Sequence, residues 1–141
     1  QNVLKLPCFK LLQLGREGNN LFLSSAPSHH GPFPSHFVPG ICTAYHESKY
    51  ESSAVGPPNT DGSQDYGVFQ INSRYWCDNQ QGETANGCRI SCSAFTNDDI
   101  TDDIECAKTV VRDPQGMDAW VAWKNHCKGK DLSEWTAGCS L

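Results

Sequence analysis

The chain has 141 residues, and its 16 acidic and 11 basic side chains give a formal net charge of −5. This length predicts one domain, with a core small enough for cross-links to matter. The negative charge argues against a nucleic-acid partner, which requires a basic face on the protein. Since no apolar run approaches the length of a membrane span, we also expect no membrane partner.

Cysteines are spread through the whole chain. An even and dispersed set in a short chain indicates a secreted protein with a disulfide framework. The spacing alone does not choose among the possible pairings. A zinc site built on Cys88 and Cys92 is the alternative, but no His-x-x-x-His motif and no second close pair of cysteines accompanies it, so we favour disulfides. The eight positions are Cys8, Cys42, Cys77, Cys88, Cys92, Cys106, Cys127 and Cys139.

Residues 1–40 form an atypical N-terminal segment. Leucines around Cys8 predict one short helix, which Gly15 and Gly18 would end. Residues 24–40 contain four of the eight prolines. Because proline interrupts both helices and strands, this part of the segment is predicted to be a loop.

A helix is predicted from Ile41 onwards, because Ile41, Ala44, Tyr45 and Ser48 recur at helical spacing. The two prolines at positions 57–58 end any such helix.

An Asp-Gly turn signal follows at residues 59–63 and favours a hairpin. Residues 66–72 then alternate in character, which predicts a strand with Gly67, Phe69 and Ile71 on one face.

The next segment, residues 78–91, is polar and contains glycine, so we expect a long loop held by its cysteines. Residues 97–111 predict the clearest helix, with Asn97, Asp98 and Asp99 suited to its start. A short aromatic-rich helix is predicted at 117–123. The apolar stripe of the clearest helix is Ile100, Ile104, Ala107 and Val111.

Two carboxylates in the stretch from Thr43 to Cys77 occupy very different settings. Glu47 lies in the apolar and aromatic segment that the first predicted helix covers. Asp65 follows the turn and opens the alternating run. An acid on a helix that faces a carboxylate on a strand is the minimum equipment for breaking a glycosidic bond.

Four motifs resemble those of the c-type lysozyme and α-lactalbumin family, and especially of its calcium-binding lysozymes: ICTAYHES, NTDGSQDYGVFQINSRYWC, CSAFTNDDITDDIECAK and GMDAWVAWKNHCKGKDL. The resemblance covers about residues 41–141 and leaves residues 1–40 unmatched. We hypothesise that a non-native start, from a mispredicted or alternative exon, accounts for this break.

The resemblance implies an α+β fold in which a helical lobe and a small antiparallel β-lobe enclose a cleft. Residues 41–141 would form this lysozyme-like domain, and the protein would be a secreted monomer. Four disulfides are implied as well, pairing Cys8–Cys139, Cys42–Cys127, Cys77–Cys92 and Cys88–Cys106.

The resemblance also implies a function, namely hydrolysis of β-1,4 bonds in peptidoglycan or chito-oligosaccharides. Glu47 would be the general acid and Asp65 the nucleophile or electrostatic stabiliser. An acid beside apolar rings keeps its proton near neutral pH. Substrate contacts are implied for Asn59, Gln70, Asn72, Tyr75, Trp76, Asp113, Ala119 and Trp120.

A weakened calcium site is a further implication. Hard cations bind several oxygens, both from carboxylates and from backbone carbonyls. Calcium-binding members have an aspartate where this chain has Asn97, so we expect weaker binding than in those members. The implied ligands are Ala94, Asn97, Asp99, Asp102 and Asp103.

Two alternatives to catalysis remain. One is a lactalbumin-like modulator of a galactosyltransferase, since His46 and Trp135 are similar to residues of that branch. The other is a carbohydrate-binding protein of the sperm lysozyme-like kind. Because those proteins lack one or both acids and this chain has Glu47 and Asp65, we favour a hydrolase.

Overall fold

The computed structural model describes residues 38–135. The predicted short helix around Cys8, the predicted loop up to residue 37 and the implied Cys8–Cys139 bridge lie outside the described residues.

Helix α1 spans Val38–Ser48. It begins before the predicted start at Ile41, because a proline such as Pro39 is tolerated in the first turn, where its missing N–H has no acceptor within the helix. The hydroxyl of Thr43 donates to the carbonyl oxygen of Pro39 at 2.8 Å, which stabilises this early turn. The residues from Gly40 to Ala44 are buried, so α1 enters the core as soon as it begins.

The β-lobe is built on a small hairpin. Strands β1 (Asp65–Tyr66) and β2 (Ile71–Asn72) pair in antiparallel fashion, with Asp65 opposite Asn72 and Tyr66 opposite Ile71. Val55 adds an isolated antiparallel bridge to Tyr66. The predicted turn at residues 59–63 is confirmed by a backbone hydrogen bond of 2.7 Å from the N–H of Asn59 to the carbonyl oxygen of Ser63.

The prediction of one continuous strand at residues 66–72 is wrong in its middle. The chain reverses at Gly67 and Gln70, whose φ angles are +78° and +49°. Val68 and Phe69 are both buried, at 2 % and 1 % exposure, instead of lying on opposite faces. The alternation in the sequence therefore reflects a turn that enters the core and not a flat strand.

Gly67 lies at a close approach between the hairpin and the helical lobe. A Cβ atom at this position would collide with the backbone carbonyl oxygen of Phe95 and with the carboxylate of Asp103. The hydroxyl of Ser48, at the end of α1, lies 2.8 Å from the carbonyl oxygen of Val68 in the same turn. The hairpin is thus held against both main helices.

Helix α2 spans Thr101–Arg112 and not residues 97–111. Asn97 and Asp99 lie before it, because their side chains close the preceding loop: Oδ1 of Asp99 accepts hydrogen bonds from the backbone and hydroxyl of Thr101 at 3.1 and 2.6 Å. The predicted stripe is confirmed, since Ile100, Ile104 and Ala107 are buried. Val111 packs partly buried against the same core.

The aromatic-rich helix predicted at 117–123 is interrupted at Trp120. A 3₁₀-helix spans Gly116–Ala119, and Trp120 is then extended at φ −97° and ψ 118°. A π-helix at Trp123–Cys127 and a 3₁₀-helix at Ser133–Trp135 follow. The indole N–H of Trp120 donates to the carbonyl oxygen of Phe69 at 2.8 Å, and burying this ring outweighs continuing the helix.

Three implied disulfides are present. Cys42–Cys127 joins α1 to the π-helix. Cys77–Cys92 and Cys88–Cys106 hold the long loop at 78–91, as the sequence predicts, and they exclude a zinc site on Cys88 and Cys92. Within residues 38–135, no helix combines the length and the apolar character needed to cross a bilayer.

One hydrophobic core serves both lobes, as expected for the α+β arrangement. Helix α1, the hairpin, helix α2 and Trp120 all contribute buried side chains to it. Relative movement of the lobes would therefore expose apolar surface, which is unfavourable in water. The largest members include Ile41, Phe69, Ile71, Phe95, Ile104, Val110 and Trp120.

Gly67→Ala tests the contact between the lobes. We expect the free energy of unfolding to fall by about 2–4 kcal/mol, because the new methyl group adds a backbone collision to the strain of a positive φ angle. Gly62→Ala is the matched control, since Gly62 has a φ of +84° and no atom lies within 4 Å of the place its Cβ would take. It should lose only about 1 kcal/mol. Equal losses in chemical denaturation would contradict the close approach.

Candidate functional site

Glu47 occupies the last turn of α1 and is half-buried. Burial raises the pKa of its carboxyl to about 7, with the negative charge of Asp65 acting in the same direction. A hydrogen bond from the backbone of Ala122 acts in the opposite direction, because it stabilises the charged form. At neutral pH the side chain is therefore divided between its protonated and ionised forms.

Asp65 lies on β1, and its carboxylate is held by a hydrogen-bond network. The amide of Asn72, directly opposite in the sheet, donates to Oδ1 of Asp65 at 2.9 Å. The same amide lies 3.0 Å from the hydroxyl oxygen of Ser63, which donates in turn to Asp61 at 2.6 Å. Because Asn72 and Asp65 are cross-strand partners, the sheet register itself positions the carboxylate.

Glu47 and Asp65 line one open cleft of about 760 Å³. All but one of the residues with an implied substrate contact line it too. Asn59 does not: its amide donates to the hydroxyl oxygen of Ser63 at 3.0 Å, so it joins the network behind Asp65 instead. The implied contact residues in the lining are Gln70, Asn72, Tyr75, Trp76, Asp113, Ala119 and Trp120.

Apolar surface is exposed along this cleft. Tyr75 is 56 % exposed and Val121 is 62 % exposed, and both line it. Trp76 is partly buried against the core, while Trp120 is 6 % exposed. Aromatic and aliphatic faces of this kind bind the apolar faces of sugar rings, and the nearby amides can bond their hydroxyl groups.

Sequence reasoning missed some of the cleft. Gln115 follows Asp113 by two positions in the sequence. That closeness to a predicted contact residue is the one signal that could have identified Gln115 as part of the cleft. The backbone of Ala122 gives no signal, since any residue other than proline supplies a backbone N–H. The lining residues that were not predicted are Ile71, Ala85, Gly87, Val110, Gln115 and Val121.

Among the residues expected to bind calcium, Asn97 makes two hydrogen bonds within the loop. The amide NH₂ of Asn97 donates to the carbonyl oxygen of Ala94 at 3.2 Å, while its Oδ1 accepts from the N–H of Asp99 at 2.9 Å. These two bonds fix the amide with its hydrogens against an implied ligand oxygen. Asp102 is exposed and Asp103 is fully buried. Calcium requires several oxygens that face one point, so weakened calcium binding by these residues stays a prediction.

A half-buried acid with a raised pKa, a second carboxylate held by the sheet, and a cleft with exposed aromatic surface are typical of a glycoside hydrolase.

Comparison with known proteins agrees with this class. Residues 35–139 match the model of the C-type lysozyme/alpha-lactalbumin family. The chain is 54 % identical over 101 residues to the milk isozyme of lysozyme C from the dog, covering 72 % of this chain and 78 % of that protein. It is 58 % identical over 101 residues to lysozyme C from the fish Scophthalmus maximus, covering 72 % and 70 %.

Solved structures give the same result. The crystal structure of recombinant canine milk lysozyme superposes with a TM-score of 0.83 at 43 % identity, over 96 % of this chain and 97 % of that one. Lysozyme from the donkey, Equus asinus, superposes with a TM-score of 0.71 at 49 % identity, over 75 % and 82 %. The chain belongs to the C-type lysozyme/α-lactalbumin family, and it is a lysozyme-type glycoside hydrolase with a polysaccharide substrate.

Asn97→Asp tests the calcium loop. We expect weak calcium binding by the wild type and roughly tenfold tighter binding by the variant, because a carboxylate removes the amide hydrogens from Ala94 and adds a negative ligand. Asn125→Asp is the control, since it adds the same charge at an exposed position outside the loop. Calorimetric titration and the melting temperature with and without calcium are the measurements. Equal affinities in the two variants would contradict this account of Asn97.

Proposed function

We propose that the protein hydrolyses β-1,4 glycosidic bonds of peptidoglycan or chito-oligosaccharides, with Glu47 as the general acid and Asp65 as the nucleophile or electrostatic stabiliser. One observation carries this proposal: the pKa of Glu47 is raised to about 7 in a cleft that Asp65 shares. A general acid is most effective when its pKa lies near the working pH, because it both holds its proton and can release it.

The two carboxyl groups divide the reaction between them. The protonated carboxyl of Glu47 donates its proton to the oxygen of the leaving sugar as the bond breaks. The negative charge of Asp65 stabilises the positive charge that develops on the sugar ring, or bonds to it. Glu47, now ionised, then takes a proton from the attacking water. The bond from Asn72 keeps Asp65 in a fixed orientation throughout.

Substrate binding in this proposal uses the cleft lining. Tyr75 and Trp76 stack on sugar rings, while Gln70 and Asn72 bond to polar groups of the sugar. We assign Asn59 a supporting role through Ser63, because it lies outside the lining.

Neither alternative function has a specific observation in its favour. A lactalbumin-like modulator or a sperm lysozyme-like binding protein would not need a raised pKa at Glu47 beside a positioned Asp65. Secretion and a monomeric state belong to the proposal. The buried disulfides and the name of the dog relative, which is a milk isozyme, support secretion.

Glu47→Gln tests the general acid. We expect kcat on a chito-oligosaccharide to fall by about a hundredfold to ten-thousandfold, because the amide cannot donate the required proton. Glu51→Gln, which changes an exposed acid four positions along, should leave kcat unchanged. Wild-type activity should also decline as the pH rises through about 7, where Glu47 loses its proton. A Gln variant with wild-type kcat would refute the assignment.

Charge bears on the choice of substrate. The cleft is lined by the carboxylates of Glu47, Asp65 and Asp113, and no lysine, arginine or histidine of residues 38–135 lines it. The whole chain has a net charge of −5. Bacterial envelopes are anionic, so this protein lacks the long-range attraction that a basic hydrolase has for them. We propose that small uncharged chito-oligosaccharides are better substrates than whole cells.

Hydrolysis of chito-oligosaccharides and lysis of bacterial cells can be compared over a range of salt concentrations. At low ionic strength we expect measurable cleavage of the oligosaccharide and little lysis, because repulsion from the envelope is then unscreened. Added salt should raise lysis relative to oligosaccharide cleavage. Strong lysis at low ionic strength, with poor cleavage of the oligosaccharide, would contradict the charge argument.

A further inference from the structure

A serine hydroxyl joins the end of α1 to the hairpin turn. Ser48 is the last residue of α1 and follows Glu47 directly. Its hydroxyl oxygen lies 3.0 Å from the carbonyl oxygen of Ala44 in the same helix and 2.8 Å from that of Val68, in the turn between β1 and β2. A hydroxyl carries one proton, and the oxygen of Val68 is the nearer acceptor, so the stronger bond is the one between the two lobes.

The core buries the beginning of α1 but not its end. The buried residues of the helix run from Gly40 to Ala44. From residue 45 to residue 48 every residue is only partly buried. A last helical turn is also the part that the helix's own hydrogen bonds constrain least, because local opening begins at helix ends. Glu47 lies in this turn, so its position depends on lateral contacts such as the one that Ser48 makes.

The acceptor of this bond belongs to a firmly packed part of the hairpin. Val68 and Phe69 are 2 % and 1 % exposed. The carbonyl oxygen of Phe69 accepts a hydrogen bond of 2.8 Å from the indole N–H of Trp120. Strand β1, which carries Asp65, ends two residues before Val68. The bond from Ser48 therefore connects the last turn of α1 to the element that carries the second carboxylate.

The separation of Glu47 and Asp65 affects the protonation of Glu47. Burial raises the pKa of its carboxyl, and the charge of Asp65 raises it further. Asp113 in the cleft, His46 on α1 and Lys124 on the π-helix are not among the charges that shift this pKa. Because the interaction of two charges weakens with distance, and because water favours the ionised form, moving the last turn away from the hairpin would lower the pKa of Glu47.

We propose that Ser48 is a positioning residue for hydrolysis: its hydroxyl holds the last turn of α1 against the hairpin turn and so sets the spacing between the carboxyl groups of Glu47 and Asp65. Ser48 is not among the described residues that line the cleft, so it acts on the reaction through Glu47 and not on the sugar. This inference rests on the proposed function of Glu47.

Ser48→Ala removes the hydroxyl and keeps a residue that favours the helix. We expect kcat on an uncharged chito-oligosaccharide to fall roughly tenfold, because a small misplacement of a catalytic group is costly. KM should stay within about twofold of the wild-type value, since Ser48 makes no contact with the sugar.

The pH profile provides a readout that a loss of stability alone does not change. In Ser48→Ala the decline of activity at high pH should move down by about half a pH unit, because Glu47 then loses its proton more readily. The carbon-13 chemical shift of the Glu47 carboxyl, followed by NMR as the pH is raised, should report the same change without any substrate. Ser48→Thr, which retains a hydroxyl, should keep both the kcat and the pH profile close to those of the wild type.

Ser52→Ala is the matched control. Ser52 is 7 % exposed, and its hydroxyl donates to the carboxylate of Asp98 at 2.6 Å, so this variant also loses a bond between distant segments. It should be less stable than the wild type in chemical denaturation, as Ser48→Ala should be, but it should keep the wild-type kcat and pH profile.

A wild-type kcat together with a wild-type titration of Glu47 in Ser48→Ala would overturn the inference. An equal change in Ser52→Ala would overturn it as well, because the effect would then follow stability and not position. Absence of hydrolysis by the wild type at every pH would refute the proposed function instead, while the NMR titration of Glu47 would still test the contact that Ser48 makes.

Discussion

The partial burial of the Glu47 carboxyl beside the charge of Asp65 is the interaction on which the site depends. Removing water from a carboxyl group disfavours its ionised form, and a neighbouring negative charge disfavours it further. Both effects require that α1 and the hairpin stay in contact. The shared core, the Ser48 contact to the hairpin turn and the close approach at Gly67 provide that contact. The raised pKa of Glu47 is therefore a property of the interface between the lobes.

The two carboxyl groups are positioned by different means. Glu47 is placed by helix packing, through the disulfide and the rings that join α1 to the π-helix. Asp65 is placed by strand pairing, because its bond partner Asn72 is its partner in the sheet register. Helix packing joins residues far apart in the sequence, whereas the strand pairing is local to one hairpin.

Features confined to one stretch of sequence were predicted well. The turn at residues 59–63 and the apolar stripe that α2 buries follow from local patterns. The errors arose where tertiary contacts decided the local structure. Val68 and Phe69 turn into the core because Gly67 lets the hairpin approach α2, and Trp120 leaves its helix to bury its ring. The spacing of apolar residues within one segment does not predict the approach at Gly67 or the burial of Trp120.

The same contrast between local sequence patterns and tertiary contacts holds for the candidate site. Motifs identified Glu47, Asp65 and most of the lining, because those side chains lie in recognisable segments. The backbone of Ala122 gave no signal, since it acts through a main-chain group. Asn97 was recognised as a departure from the calcium-binding members, but its hydrogen bonds across the loop could only be seen in three dimensions.

The two disulfides around residues 78–91 affect the resistance of the protein to proteolysis. This loop is long and mostly exposed, which are the properties of a site where chains are nicked. Cys77–Cys92 encloses it, and Cys88–Cys106 anchors its far end to α2. A single cut between Cys77 and Cys88 would leave both fragments covalently joined. The fragment with Asp113 and Trp120 of the cleft would then stay attached to the fragment with Glu47 and Asp65.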